Sequence, residues 1–237
     1  MRSPLAPRVV AEFFGTAFLV AAVIGSGIMG ERLSGGNVAL ALLANTIATG
    51  AALVALIIAF GPISGAQLNP VVTIMDAFEG GLPWSETPHY ISAQLTGGSF
   101  GAVIAHLMFG LSAVSLSTHA RSGAAQSFSE LVATFGLMCV VWGSSRSRSS
   151  AVPLAVGAYI TAAYWFTASI SFANPAVTIA RSLSDTFAGI RLTDVPWFVI
   201  AQFLGGFAAT LLFRWLVPNP RTRASGVLLA DSSGRNS

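Results

Sequence analysis

Asn69-Pro70-Val71-Val72-Thr73-Ile74 and Asn174-Pro175-Ala176-Val177-Thr178-Ile179 are two copies of one motif, 105 residues apart in a chain of 237. Both lie in apolar sequence. Asn is a strong helix N-cap and Pro suits the first helical position, so each copy opens a helix. A helix that begins at membrane depth leaves N–H groups unpaired. That is tolerated only against protein or a water-filled cavity. Two such starts, one in each half, point to a pore between inverted repeats.

The composition agrees. The chain is 54% hydrophobic and only 9% charged, with a mean hydropathy of +0.72. Soluble domains average about 25% charged residues. This is an all-α, multi-pass membrane protein. All 12 basic residues are Arg, and they fall mostly in short stretches between apolar runs and in the tails. That distribution suits membrane topology rather than a nucleic-acid partner. The lone Cys139 allows no intrachain disulfide framework and suits a small core position.

Six apolar runs are long enough, or nearly so, to cross: Val9–Gly30, Asn37–Phe60, Pro88–Leu111, Phe128–Gly143, Ala151–Ala168 and Val195–Val217. The fourth and fifth are short. Two further runs, 69–78 and 174–183, cannot cross, because a span needs about 20 residues. They read as re-entrant half-helices meeting from opposite faces, since half the apolar thickness takes about 10 helical residues. The first repeat is 9–111 and the second 128–217, flanked by tails 1–8 and 218–237, the latter expected to be disordered.

The repeat extends beyond the Asn-Pro motif. Glu12-Phe13-Phe14-Gly15-Thr16 matches Glu130-Leu131-Val132-Ala133-Thr134, and Ala93-Gln94-Leu95-Thr96-Gly97-Gly98 matches Ala201-Gln202-Phe203-Leu204-Gly205-Gly206. Each half reads span, span, half-helix, span. Three full spans per half force the second half to be inverted. Arg counts, eight against four, put both termini in the cytoplasm. Gly97-Gly98 and Gly205-Gly206, inside apolar spans, are expected to serve close helix packing. His106, among apolar residues, fits a satisfied interior histidine, while His89 and His119 are assigned to loops. Three scattered His and one Cys make no metal site, and no cofactor is expected.

Together these features resemble the aquaporin (major intrinsic protein) family from Glu12 to about Trp215. Ser64-Gly65-Ala66-Gln67-Leu68 also resembles that family's loop before the first motif. The resemblance implies six membrane-spanning helices plus two re-entrant half-helices, and a homotetramer with one pore per subunit passing water or small neutral solutes. It implies a pore centre at Asn69, Pro70, Val71, Asn174, Pro175 and Ala176. The two Asn offer N–H donors there, and the half-helix dipoles oppose cations. The intramembrane Glu12 and Glu130 are expected to hold the pore loops by accepting hydrogen bonds, although proton relay is an alternative.

The chain departs from the family pattern at the constriction. The Arg that usually follows the second Asn-Pro-Ala is replaced by Val177, and the first motif has Val71 where Ala is usual. The resemblance implies that the other constriction positions are Thr49, Ser171 and a residue of the fifth span, Tyr164 or alternatively Ala162. Arg181, one turn on, is expected to pair with Asp185 at helical spacing. These replacements predict a filter that is wider, less cationic and poorer in donors. The stretch from Ser171 to Asp185 is similar to a bacterial aquaglyceroporin branch associated with arsenic-resistance operons. That implies passage of arsenite as neutral arsenous acid, with other metalloid hydroxides, glycerol and water. The alternatives are a water-selective channel and an ion-coupled transporter using Glu12 or Glu130. No catalytic constellation suggests an enzyme. The short loops suit a bacterial inner membrane.

Overall fold

Asn37, Asn69 and Asn174 each begin a helix, and each side chain accepts a hydrogen bond from a backbone N–H of the first turn. The computed structural model describes residues 3–217. Tail 218–237, expected to be disordered, lies outside the described residues. Within them are eight α-helices: α1 Leu5–Leu33, α2 Val38–Ser64, α3 Pro70–Phe78, α4 Thr87–Met108, α5 Ala124–Ser147, α6 Val152–Phe166, α7 Pro175–Arg181 and α8 Val195–Leu216. Proline occupies the first turn of α3, α4, α6, α7 and α8, where its missing N–H costs nothing. Gly65, left-handed at φ 92°, ends α2.

Four helices, α1, α2, α5 and the segment ending in α8, are long and apolar enough to cross a membrane by themselves. The other two expected spans are weaker. Helix α4 is diluted by Gly and by polar residues such as Gln94 and His106, which it buries. Helix α6 has 15 residues, about 22 Å at 1.5 Å per residue, and a 3₁₀ turn at Ser149–Ala151 leads into it. His89, assigned to a loop, sits instead in the first turn of α4.

Packing follows the repeat. Helix α1 packs on α4 and α2, α5 packs on α8 and α6, and α2 meets α6 across the two halves. The half-helices α3 and α7 each pack on α4 and α8 and touch one another. A Cβ at Gly97 would overlap the Phe13 carbonyl, and one at Gly205 would overlap the Leu131 carbonyl. Phe13 and Leu131 directly follow Glu12 and Glu130, so the glycines bring α4 and α8 onto the same point of α1 and α5. That is the close packing expected of them. The far end of α3 is clamped by Glu79, whose carboxylate meets Arg214 at 2.5 Å and Arg146 at 3.3 Å.

Helix α7 is shorter than expected and stops at Arg181 rather than 183. The chain beyond it leaves the helix to pair with the segment joining the two repeats. Ser115 N–H donates to the Leu183 carbonyl at 3.0 Å and Ser117 N–H to the Ser182 carbonyl at 2.9 Å. His106 pins the same region: Nε2 lies 2.8 Å from Ser184 Oγ and Nδ1 lies 2.9 Å from the Ser112 carbonyl. It is a satisfied interior histidine.

Candidate functional site

Two short loops, 64–69 and 169–174, carry the chain to the two motif asparagines. Their backbones match. Gly65, Ala66 and Leu68 have positive φ in the first loop, and Ile170, Ser171 and Ala173 in the second. Five of these six are not glycine, so each loop stores strain that its surroundings must hold.

The holding groups are the two carboxylates. Glu12 accepts from Gln67 N–H (3.0 Å), Leu68 N–H (2.7 Å), Ser64 Oγ (2.7 Å) and Gln94 Nε2 (2.8 Å). Glu130 accepts from Phe172 N–H and Ala173 N–H, both at 2.8 Å, and from Gln202 Nε2 at 2.6 Å. The two Gln amides also donate to Thr73 and Thr178, one turn into each half-helix, both at 2.9 Å. Both carboxylates are fully buried. A buried carboxylate needs such partners, and here Glu12 accepts four hydrogen bonds and Glu130 three, from its own loop and a facing Gln.

At the centre the two asparagines cross over. Asn69 Nδ2 donates to the Ala173 carbonyl at 2.8 Å, and Asn174 Nδ2 donates to the Leu68 carbonyl at 2.7 Å. Each Oδ1 caps its own helix, Asn69 from Val71 N–H and Asn174 from Ala176 N–H. A carboxamide has two N–H donors, so each Asn retains one beyond this bond.

Both Asn side chains open onto one cavity of about 60 Å³ that runs between the repeats. Its walls are stripes at helical spacing: Leu19 and Val23 of α1, Thr49, Leu53 and Ile57 of α2, Leu137 and Val141 of α5, Val156, Ile160 and Tyr164 of α6. The wall is apolar apart from the loops and one end. Of the residues expected at the centre, only Asn69 and Asn174 reach it. Pro70, Val71, Pro175 and Ala176 lie outside the lining. Val71 turns toward α8, where a Cβ on Gly206 would overlap it. The extra methyl groups at this motif position are therefore taken up between helices.

Thr49, Tyr164, Ser171 and Val177 all line the cavity. Ala162, the alternative fifth-span residue, is exposed on the outer face of α6. Tyr164 Oη lies 3.4 Å from Thr49 Oγ1 and closes in this end.

Arg181 overturns two expectations. It does not pair with Asp185, whose Oδ1 accepts from Thr118 N–H at 2.8 Å and Thr118 Oγ1 at 3.0 Å. The connecting segment has taken that carboxylate. Arg181 turns inward instead, is fully buried, and lines the cavity beside Tyr164, Ser171 and Val177. This end is therefore cationic and carries donors, contrary to the reading from Val177 alone. Arg181 Nε donates to the Ala188 carbonyl. Its guanidinium carbon stands 3.4 Å from the centroid of the Phe172 ring. Arg121, from the connecting segment, approaches the same ring at 5.2 Å and donates to the Gly189 carbonyl at 2.7 Å. Burial lowers the Arg121 pKa to about 10, so it stays charged at neutral pH. Gln67 and Phe172 also line the cavity. Each stands two residues before a motif Asn, and that position was the available signal for both.

Two inverted halves, each sending a capped half-helix to a shared narrow cavity, define a membrane channel of the two-repeat, half-helix class. The chain belongs to the major intrinsic protein family, whose profile matches residues 2–171 and 144–236. It is 52% identical over 217 residues to Aquaglyceroporin AqpS of Rhizobium meliloti (strain 1021), covering 92% of this chain and 93% of that one. It is 31% identical to the probable aquaporin NIP7-1 of Arabidopsis thaliana, covering 95% and 82%. In fold it matches the aquaglyceroporin from Plasmodium falciparum with a TM-score of 0.69 at 19% identity, covering 96% and 100%. The chain is thus a bacterial-type aquaglyceroporin channel for small solutes, and its family is a channel family rather than an enzyme class.

Proposed function

We propose that this chain conducts small neutral solutes passively through the cavity between its repeats, with arsenous acid among them alongside glycerol and water. The observation that carries the reading is the meeting of Asn69 and Asn174 on that cavity, each at the N-terminus of a half-helix. A permeating oxygen accepts the free N–H of each Asn. It passes apolar walls that offer no competing sites, and it exchanges these donors for those at the Tyr164 end. The positive ends of both half-helix dipoles face the centre and oppose protons and other cations. Glu12 and Glu130 act as scaffold. Neither lines the cavity and both are bonded to the loops, which speaks against the ion-coupled alternative. Passage of arsenous acid rests on the resemblance of residues 171–185 to the arsenic-operon branch. The working unit is a homotetramer in a bacterial inner membrane, with both termini cytoplasmic.

Arg181 supports a second reading, water selectivity, because it restores a guanidinium to an end already narrowed by Tyr164 and Thr49. Stopped-flow light scattering on proteoliposomes separates the two. Rapid entry of arsenous acid and glycerol alongside water is the expected result. Water flux without either solute establishes the second reading instead.

A further inference from the structure

Arg181 is a buried cation without a counter-ion. It is fully buried, and neither terminal nitrogen, Nη1 or Nη2, has a hydrogen-bond partner. It belongs to none of the ion pairs formed among the described residues. The neighbouring charges do not neutralise it. Arg121, on the same Phe172 ring, has the same sign. Glu130 is occupied by the loop amides of Phe172 and Ala173 and by Gln202. Asp194 accepts from Arg121 N–H, and Asp185 from Thr118. The Tyr164 hydroxyl is the polar group beside the guanidinium, and it carries no charge to balance the cation at neutral pH. Ser171 Oγ, buried in the same wall, is also unpartnered.

A buried charge left unpaired is costly, and a guanidinium fork is matched best by two oxygens on one centre. Stacking on Phe172 and the Nε bond to Ala188 fix the fork, so little entropy is lost when it is used. We propose that Arg181, with Ser171 and Tyr164, forms a binding site for a small oxyanion at this end of the cavity. The ligand class is a singly charged species with two acceptor oxygens on one atom, such as a small carboxylate or nitrate. Arg181 holds both oxygens, and the Ser171 and Tyr164 hydroxyls take what the fork leaves. In a cavity of about 60 Å³ such an ion occupies the path that solutes must use, so binding shows as slowed water flux. The inference rests on the reading that this cavity is the permeation path.

The test is stopped-flow water permeability of proteoliposomes at neutral pH in sodium nitrate, formate or chloride at matched ionic strength. Chloride has the charge but not the paired oxygens. One further charge-assisted hydrogen bond is worth about tenfold in binding. Nitrate and formate are therefore expected to slow water at about one-tenth of the chloride concentration. Arg181→Met should erase that preference. Arg181→Lys keeps the charge without the fork and should also level the three anions, which decides the matter if the Met variant does not assemble. Equal action of all three anions on the wild type overturns the site, as does a preference that survives in either variant. Water crossing no faster than through protein-free liposomes overturns the channel reading and this inference with it. Fast water flux without anion preference removes this inference alone.

Discussion

Arg181 stands over the ring of Phe172, with 3.4 Å between its guanidinium carbon and the ring centroid. The inverted half has a counterpart. Gln67 and Asp76 occupy the same places relative to Asn69 that Phe172 and Arg181 occupy relative to Asn174, and Gln67 Nε2 donates to Asp76 Oδ2 at 2.7 Å. Each half thus ties a loop residue that lines the cavity to a buried charge seven residues beyond its Asn. The charges have opposite sign, and of the two only Arg181 lines the cavity.

Phe172 supports the guanidinium as well as lining the cavity. Phe172→Leu should lower stability by up to about 2 kcal/mol, the scale of a desolvated cation–π contact. It should also loosen solute discrimination because Arg181 loses its rest. Thermal unfolding in detergent and relative solute permeabilities check the two effects.

Glu12→Gln should destabilise by about 1–3 kcal/mol, since a carboxamide N–H₂ would face backbone donors that now find a carboxylate. Glu130→Gln should behave alike. Ser64→Ala, which removes one of the four bonds to Glu12, should cost about 1 kcal/mol. Denaturation midpoints of the three variants give the order.

Val177→Arg should set a second guanidinium into the wall that Arg181 already lines. Glycerol and arsenous acid entry should fall more than water flux, and Thr49→Phe should act in the same direction by bulk. Equal loss of every flux would indicate misfolding, and an unchanged solute ratio would move the constriction elsewhere.

Asn174→Asp removes the amide that donates to the Leu68 carbonyl and sets a carboxylate against it. Permeability should fall strongly, and the lost cross-link should cost at least the ~1–3 kcal/mol of an unsatisfied buried group. Water flux per assembled protein, measured beside the wild type, provides the check.

Gly97→Ala and Gly205→Ala should each cost about 1–3 kcal/mol through overpacking, and by similar amounts, because their Cβ atoms would overlap equivalent carbonyls. Unequal costs would show that the two halves differ in rigidity where their geometry matches. Paired unfolding curves measure this.

The elements legible in the sequence were those written twice. Asn69 and Asn174, the Glu residues, the Gln residues and the glycine pairs recur at matched places, and each recurs in the structure with its partner. Thr49 and Tyr164 came from the family pattern counted from the motif asparagines, and both line the cavity. Arg181 was missed because local spacing offered Asp185 as its partner. The competing bond to Thr118 comes from a segment more than 60 residues away, and no periodicity announces it. The early end of α7 has the same origin. Without the pairing to Ser115 and Ser117, the helix pattern reads on to Leu183.

The crossed bonds at the centre also constrain how the molecule is made. Asn69 needs the Ala173 carbonyl and Asn174 needs that of Leu68, so neither half completes its own centre. During synthesis the first half-helix emerges with no mate until the second has left the ribosome. At about 5–20 residues per second, 105 residues take about 5–20 s. For that interval the Asn69 amide has no Ala173 carbonyl to meet, and the arrival of α7 supplies both crossed bonds at once.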